Sequence, residues 1–433
     1  MKIFSYTLQH VTTEQIIKSF GYKSYSFFLD SNDHSHPQNK YSIFGFDPSE
    51  IINKHYKNFK SLESILNQNK PINIDEFSQY PFVGGLIGYI PYEFGYDCQG
   101  MENYFPTSNN EALFGLFNKM ILISHHEKTI TLFVTENNKE SADRIYTEIY
   151  DILTKNSDNM SNSVIAFKET DLLKNFKKNV TDIISYIKNG DIFQANISHD
   201  FIADTPNNFD AVLHFLRLRQ NNPAPYSAFL NCGDIQYLSS SPENFISFDG
   251  EYITTKPIKG TISDAYDISV LENNEKDRAE NIMIVDLMRN DLSKICEEDS
   301  VEVTNLCAIE TFKNLHHMVS TIHGKLKNNL TIFDAMLALF PAGSITGAPK
   351  IRAMEIIAEL EQRPRGLYCG SIGYIDYNHK SQFNIAIRTI EITTDTIKFS
   401  VGGGITSLSN PDDEYQETIT KAQKILDSFG ELK

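Results

Sequence analysis

The 433-residue sequence predicts an α+β fold. Segments 226–231, 235–240, 244–248 and 251–255 read as short strands at regular spacing, the pattern of an antiparallel sheet. Elsewhere the apolar period lengthens: Phe176, Val180, Ile183, Ile184 and Ile187 recur at helical spacing. A hydrophobic content of 41% supports a sizeable core, and the length suggests two or three domains or one large β-rich unit.

Composition bounds the function. Lys and Arg number 39 against 56 Asp and Glu, a net charge of −17. So acidic a chain suits a phosphate backbone poorly, and nucleic acid is not an expected partner. An anionic substrate would need a local cation or a metal ion. The cysteines, Cys98, Cys232, Cys296, Cys307 and Cys369, are odd in number and form no C-x-x-C pair, against a disulfide framework or a zinc ribbon. Met1-Lys2-Ile3-Phe4 lacks the apolar core of a signal peptide, and no run of about eighteen apolar residues occurs. The expectation is a soluble, cytoplasmic protein with no membrane association.

Taken in order, 24–31 is strand-like, 32–40 a polar loop and 41–45 extended again. Residues 82–90 form a glycine-rich apolar strand suited to close backbone packing. Segments 112–117, 119–124 and 129–135 look like paired strands, with His125-His126-Glu127-Lys128 at a turn. Neighbouring residues on a strand face opposite ways, so the histidine pair reads as a solvated hairpin tip rather than a metal site. A helix over 141–153 leads into 154–163, polar and without periodicity, the best linker in the chain. It separates an N-terminal region, 1–160, from a second region, 165–433. Gly190 ends the helix after the linker; 191–198 is a strand and 211–220 a helix.

The rest of the chain is organised around 254–291. Residues 253–256 read as a strand that Pro257 stops, and Gly260 permits a tight turn carrying Lys259. A mostly apolar helix from Arg278 bears one early carboxylate, Glu280. Lysine and carboxylate together suit a nucleophile beside a metal; a surface lysine and an exposed helix charge are the plainer alternative.

Glycines then become dense. FPAGSITGAPK (340–350) precedes a helix on which Ile351, Met354 and Ala358 share a face, with Pro349 in its first turn. Free N–H groups at such a helix start suit a carboxylate or phosphate, although P-loop spacing is absent. A strand over 382–392 places Asn384, Ala386 and Arg388 on one face. The strand 397–401 ends in Gly402-Gly403-Gly404, which either lets a ligand approach the backbone or makes a flexible turn. The last helix is capped by Ser409 or Asn410, followed by Pro411 and three acidic residues. Tyr415, Ile419, Ala422 and Leu426 form its apolar face, while Glu414, Glu417 and Lys421 share another. Two carboxylates without Cys or His nearby suit Mg²⁺ before Zn²⁺, an ordinary solvated face being the alternative.

These segments carry a resemblance. SSSPENF (239–245), PIKGT (257–261), AENIMIVDLMRNDL (279–292), HHMVSTIHG (316–324), FPAGSITGAPK, GLYCGSIGY (366–374), IRT (387–389), GGGIT (402–406) and DEYQETITKA (413–422) resemble the chorismate-utilising enzymes. That family includes the synthase components of anthranilate, aminodeoxychorismate, isochorismate and salicylate. The likeness is continuous over 165–430 and weaker before it. It implies two packed, largely antiparallel sheets flanked by helices.

Carried over by position, the resemblance implies Mg²⁺ ligands at Glu280 and Glu417, with Glu414 beside them, holding the ring carboxylate of chorismate. Tyr368 and Arg388, with N–H groups around Gly402, Gly403 and Gly404, match residues that bind the enolpyruvyl carboxylate. Lys421 matches a substrate-contacting lysine, His317 the histidine near the departing C4 hydroxyl, and Thr346 lies in a loop lining the site. An acidic protein accepting a dianion needs such cations.

Two positions separate the subfamilies. Gln194 stands where members that add water at C2 carry a general-base lysine, which argues against isochorismate and salicylate synthesis. Lys259, in PIKGT, resembles aminodeoxychorismate synthase component I, where anthranilate synthases resemble PIAGT. In that class the lysine attacks C2 as the C4 hydroxyl leaves, and ammonia entering at C4 releases it; Glu243 matches the acid/base partner. An attacking lysine must be neutral, which burial or a neighbouring cation such as Lys256 or Arg388 favours. The sequence has no glutaminase signature, so the resemblance implies a separate glutamine amidotransferase subunit and a separate lyase leading to 4-aminobenzoate and folate. It also implies a tryptophan pocket walled by Ser31, Tyr41 and Ser42 and by Pro225, Tyr226 and Ser227. The alternatives are anthranilate synthase component I and a non-catalytic chorismate-binding scaffold. The scaffold would lack Lys259, Glu243 or the metal glutamates, and all are present.

Overall fold

In the computed structural model, which describes residues 1–32, 40–106, 110–155, 165, 167, 172–312 and 315–430, two large antiparallel sheets share one core and helices cover them. Alternation along the strands explains the layering. From Phe27–Asp30, Tyr41–Gly45 and Tyr226–Asn231, the side chains of Phe27, Ile43, Ala228 and Leu230 enter the core shared with the second sheet. Phe28, Phe44 and Phe229 point the other way, onto the helices Thr13–Phe20, Ala211–Asn221 and Pro411–Ser428. The middle of the first sheet is thus buried on both faces, whereas its edge strand Lys2–Thr7 alternates between buried and exposed positions.

The first sheet runs Lys2–Thr7, Thr129–Glu136, Lys119–Ser124, Tyr41–Gly45, Phe27–Asp30, Tyr226–Asn231, Gln236–Ser241, Thr389–Ile392, Thr396–Ile405, Gln194–Asp204, Gly347–Ala348. The second runs Ile258–Ser263, Leu315–Lys325, Tyr252–Lys256, Asn244–Phe248, Ser381–Asn384, Ser371–Asp376, Gly85–Ile90, Ala112–Phe117, Glu50–Lys54, with Glu302–Phe312 also on Leu315–Lys325. Both sheets draw strands from before and after residue 160. Most of the proposed linker, and most of the loop at 32–40, lie outside the described residues. No described helix is long and apolar enough to cross a membrane, and the five cysteines are free.

Two expectations need correction. Ala112–Phe117 does not pair with Lys119–Ser124: the first joins Gly85–Ile90 and the second joins Thr129–Glu136. A single residue, Asn118, lies between them, too few for a hairpin turn, and the chain changes sheet there. The strand at 382–392 is likewise two strands in different sheets, Ser381–Asn384 and Thr389–Ile392. Arg388 lies at the crossing with φ 51°, so it does not share a strand face with Asn384. Residues 125–128 do form the hairpin tip between Lys119–Ser124 and Thr129–Glu136, with His126 exposed and His125 half-buried, its Nε2 2.8 Å from Ser42 Oγ.

Candidate active site

PIKGT is not a turn. Tyr252–Lys256 and Ile258–Ser263 run on along the same neighbour, Leu315–Lys325, with a register shift between Ile258 and Thr261. Lys259 and Gly260 occupy that irregularity, the kind that re-aims a side chain. Gly260 has φ 79°, and an added Cβ would lie 2.9 Å from Asp277 Oδ2. The bulge turns Lys259 into a cavity of about 670 Å³ lined also by Glu243, Glu280, His317, Tyr368, Arg388, the three glycines, Glu414, Glu417 and Lys421.

The three glycines lie in a strand, Thr396–Ile405, paired with Gln194–Asp204, and not in a flexible turn. An added Cβ would meet a different neighbour at each. A Cβ at Gly402 would lie 2.4 Å from Ile197 O, at Gly403 3.3 Å from Glu414 Oε2, and at Gly404 2.4 Å from Gln194 Nε2. The same point at Gly404 is 3.6 Å from Lys259 Nζ, so Gly404 neighbours both the lysine and the Gln194 amide, which does not itself line the cavity. Both amide atoms of Gln194 are buried without a hydrogen-bond partner among the described residues.

Glu243 is buried and accepts a 2.7 Å hydrogen bond from Ser344 Oγ. Burial pushes its carboxyl pKa above the usual range, against the pull of Ser344 and of Lys259. His317 stays neutral: burial, then the charges of Arg388 and Lys424, lower it to about 3. Its Nδ1 lies 2.7 Å from Thr261 Oγ1. Burial lowers the Arg388 pKa and raises that of Tyr368. At the opposite end, burial raises Glu280 and Glu414, whereas at Glu417 the burial effect is outweighed by Lys421, 2.7 Å away. Lys256, expected to help neutralise Lys259, is instead paired with Glu310 at 3.1 Å.

Thr346 does not face the cavity. Its hydroxyl is turned back onto Ala342 O and Gly343 O, and Ser344 and Ile345 of the same loop form the wall. Sequence reasoning also passed over Lys276, Asn196, Lys424 and Arg365. Lys276 lies one helical turn before Glu280 and Lys424 one before the helix end region, spacings that were readable. Arg365 was not: its buried guanidinium joins Glu361, Ile345 O and Asn196 O, tying three walls together through non-local contacts.

The family of chorismate-binding enzymes matches residues 24–427. The chain belongs to that family. This chorismate-binding enzyme is similar to "Aminodeoxychorismate synthase component 1" of Salmonella typhimurium, 34% identical over 430 residues covering 93% of this chain and 92% of that one. It is also similar to "Probable aminodeoxychorismate synthase, chloroplastic" of Oryza sativa subsp. japonica, 34% identical over 79% of this chain but spanning only 43% of the rice protein. Among solved structures, anthranilate synthase component I from Streptococcus pneumoniae aligns with a TM-score of 0.80 at 28% identity, covering 89% of this chain and 92% of that one.

In this chorismate-binding enzyme the acidic end of the cavity suits a hard divalent cation. Glu280 Oε1 is buried without a hydrogen-bond partner among the described residues, and Lys276 Nζ is 4.0 Å from it and 3.9 Å from Glu414 Oε1. Among the described residues no three acidic, His or Cys side chains are grouped to hold an ion unaided, so water or substrate oxygens would complete a Mg²⁺ shell. Elsewhere, Ser31, Tyr41, Pro225, Tyr226 and Ser227 line a second cavity of about 40 Å³, room for roughly three waters. Ser42 stands behind it, donating to Asp30 Oδ1, while Arg219 pairs with Asp30 Oδ2.

Proposed function

We propose that this chorismate-binding enzyme replaces the C4 hydroxyl of chorismate with an amino group, giving 4-amino-4-deoxychorismate, with ammonia supplied by a glutamine amidotransferase subunit. The observation that carries the reading is Lys259 on its strand bulge, in one cavity with the buried acid Glu243. As the free amine, Lys259 bonds to ring C2. The C1–C2 π pair shifts to C1–C6, the C5–C6 pair to C4–C5, and the C4–O bond breaks. Glu243, its pKa raised, gives its proton to the leaving hydroxyl, which departs as water. Ammonia then bonds to C4, both π pairs return, and Lys259 leaves with the electrons of the C2–N bond. The surplus proton on the new ammonium passes to Glu243, restoring the starting state. Neutral His317 orients the C4 hydroxyl, and Arg388 and Tyr368 hold the enolpyruvyl carboxylate. Glu280, Glu414 and Glu417 would hold Mg²⁺, which supplies the charge that anchors the ring carboxylate.

The test is product identification. With chorismate, Mg²⁺ and ammonia, the chain is expected to form a non-fluorescent product that yields 4-aminobenzoate only when an aminodeoxychorismate lyase is added. Fluorescent anthranilate, formed without a lyase, overturns the reading in favour of an anthranilate synthase.

A further inference from the structure

The last helix lays a charged stripe along the cavity. Glu414, Glu417, Lys421 and Lys424 follow at intervals of three, four and three residues, which places them on one helix face. All four line the cavity. The stripe changes sign along its length: each ammonium group stands about 10 Å of helix rise beyond one of the carboxylates. Lys421 is already engaged, with Glu417 at 2.7 Å and Gly402 O at 3.1 Å. Lys424 is half-buried and has no carboxylate within ion-pair distance among the described residues. The charged group that acts on it is Arg388, another cation lining the same cavity, which itself feels the buried carboxylate of Glu243.

Two like charges held in one partly desolvated cavity repel each other, and the arrangement is relieved when an anion lies between them. The opposite end of the cavity is acidic, so an anion is drawn to this end unless a metal ion intervenes. We propose that Lys424 and Arg388 together form a two-sided receptor for the enolpyruvyl carboxylate, Lys424 closing it from the helix side and Arg388 from the sheet crossing. The stripe then measures the substrate: a dianion with one carboxylate at the glutamate end and the other at the lysine end satisfies both. Lys424 is thus a binding residue that selects the enolpyruvyl ring acid over a ring acid with a single carboxylate. The assignment rests on chorismate being the substrate.

Calorimetric titration of chorismate with Mg²⁺ but without ammonia, on wild type, Lys424→Met and Lys424→Arg, tests it, alongside steady-state rates. Lys424→Met keeps the apolar stem and removes one charge-assisted hydrogen bond, so chorismate affinity is expected to fall about tenfold to a hundredfold. KM should rise by the same factor with kcat nearly unchanged, since the lost contact is made in ground and transition state alike. Lys424→Arg should recover most of the affinity. Inhibition by shikimate, a ring carboxylic acid lacking the enolpyruvyl ether, should be equal in wild type and Lys424→Met. If chorismate binds Lys424→Met as tightly as wild type, or if shikimate weakens in parallel with chorismate, the receptor assignment is overturned while the proposed substrate stands. If wild type binds no chorismate, the substrate reading itself fails and takes the receptor with it.

Discussion

Glu280 presents a buried oxygen, Oε1, that no protein group hydrogen-bonds among the described residues. Removing its charge should therefore show in metal binding before it shows in stability. Glu280→Gln is expected to lose Mg²⁺ affinity by calorimetry and to lose turnover while keeping its melting temperature, because that oxygen accepts no protein hydrogen bond among the described residues and its ion pair with the exposed Lys276 is long, at 4.0 Å. Retained Mg²⁺ affinity would remove Glu280 from the metal site. The glycines give a second residue-scale prediction. A methyl at Gly403 lies 3.3 Å from Glu414 Oε2 and should cost chorismate binding more than stability, whereas one at Gly404, 2.4 Å from Gln194 Nε2, should cost both. Chorismate titrations and denaturant melts of Gly403→Ala and Gly404→Ala separate the two effects. Most of these residues were readable because the chemistry sits in short motifs. Thr346 misled because sequence order does not say which side of a loop a hydroxyl faces, and it is Ser344, two residues earlier, that reaches Glu243.

The helix Pro411–Ser428 shows the same contrast at the scale of an element. Its start was legible from Asn410, Pro411 and the acidic first turn, and Asn410 Oδ1 does accept from the N–H groups of Asp412 and Asp413. Asn410→Ala should cost about 1 kcal/mol of stability by denaturant unfolding, and should weaken Mg²⁺ binding because Glu414 lies in the turn it anchors. Strands 41–45, 112–117 and 119–124 were equally legible, being apolar runs with clear breaks. Their partners were not. The changes of sheet at Asn118 and around Arg388 depend on long-range pairing, which leaves no mark on local periodicity. The bulge at Lys259 was read as a turn for the same reason: Pro257 and Gly260 announce a break in the strand but not that it resumes on the same neighbour.

For the whole molecule, three buried histidines set an acid limit. Burial lowers His199 to about 4, and His214 and His317 to about 3, from 6.5. Below pH 6.5 the unfolded chain binds protons there that the folded chain does not, so their contribution is complete above 6.5 and is lost as pH falls towards 3. Glu93 and Asp376, raised by burial to about 7, act with the opposite sign and lose stability as pH rises through 7. The imidazole NMR signals of His214 and His317 should therefore not titrate between pH 8 and pH 5; a midpoint near 6.5 would contradict their burial. A second expectation at this scale concerns the nitrogen source. The purified chain should turn over with ammonia and not with glutamine, and glutamine-dependent turnover by the single chain would contradict the two-subunit reading.

The central claim is that Lys259 bonds to the ring. Wild-type enzyme incubated with chorismate and Mg²⁺ in the absence of ammonia, quenched and examined by peptide mass spectrometry, is expected to carry on the peptide containing Lys259 an added mass of one chorismate less one water. Lys259→Ala should carry none, and its rate of 4-amino-4-deoxychorismate formation should fall by a factor on the order of 10²–10⁴. An unmodified Lys259 peptide, together with a Lys259→Ala variant that retains the wild-type rate and product, would contradict the account.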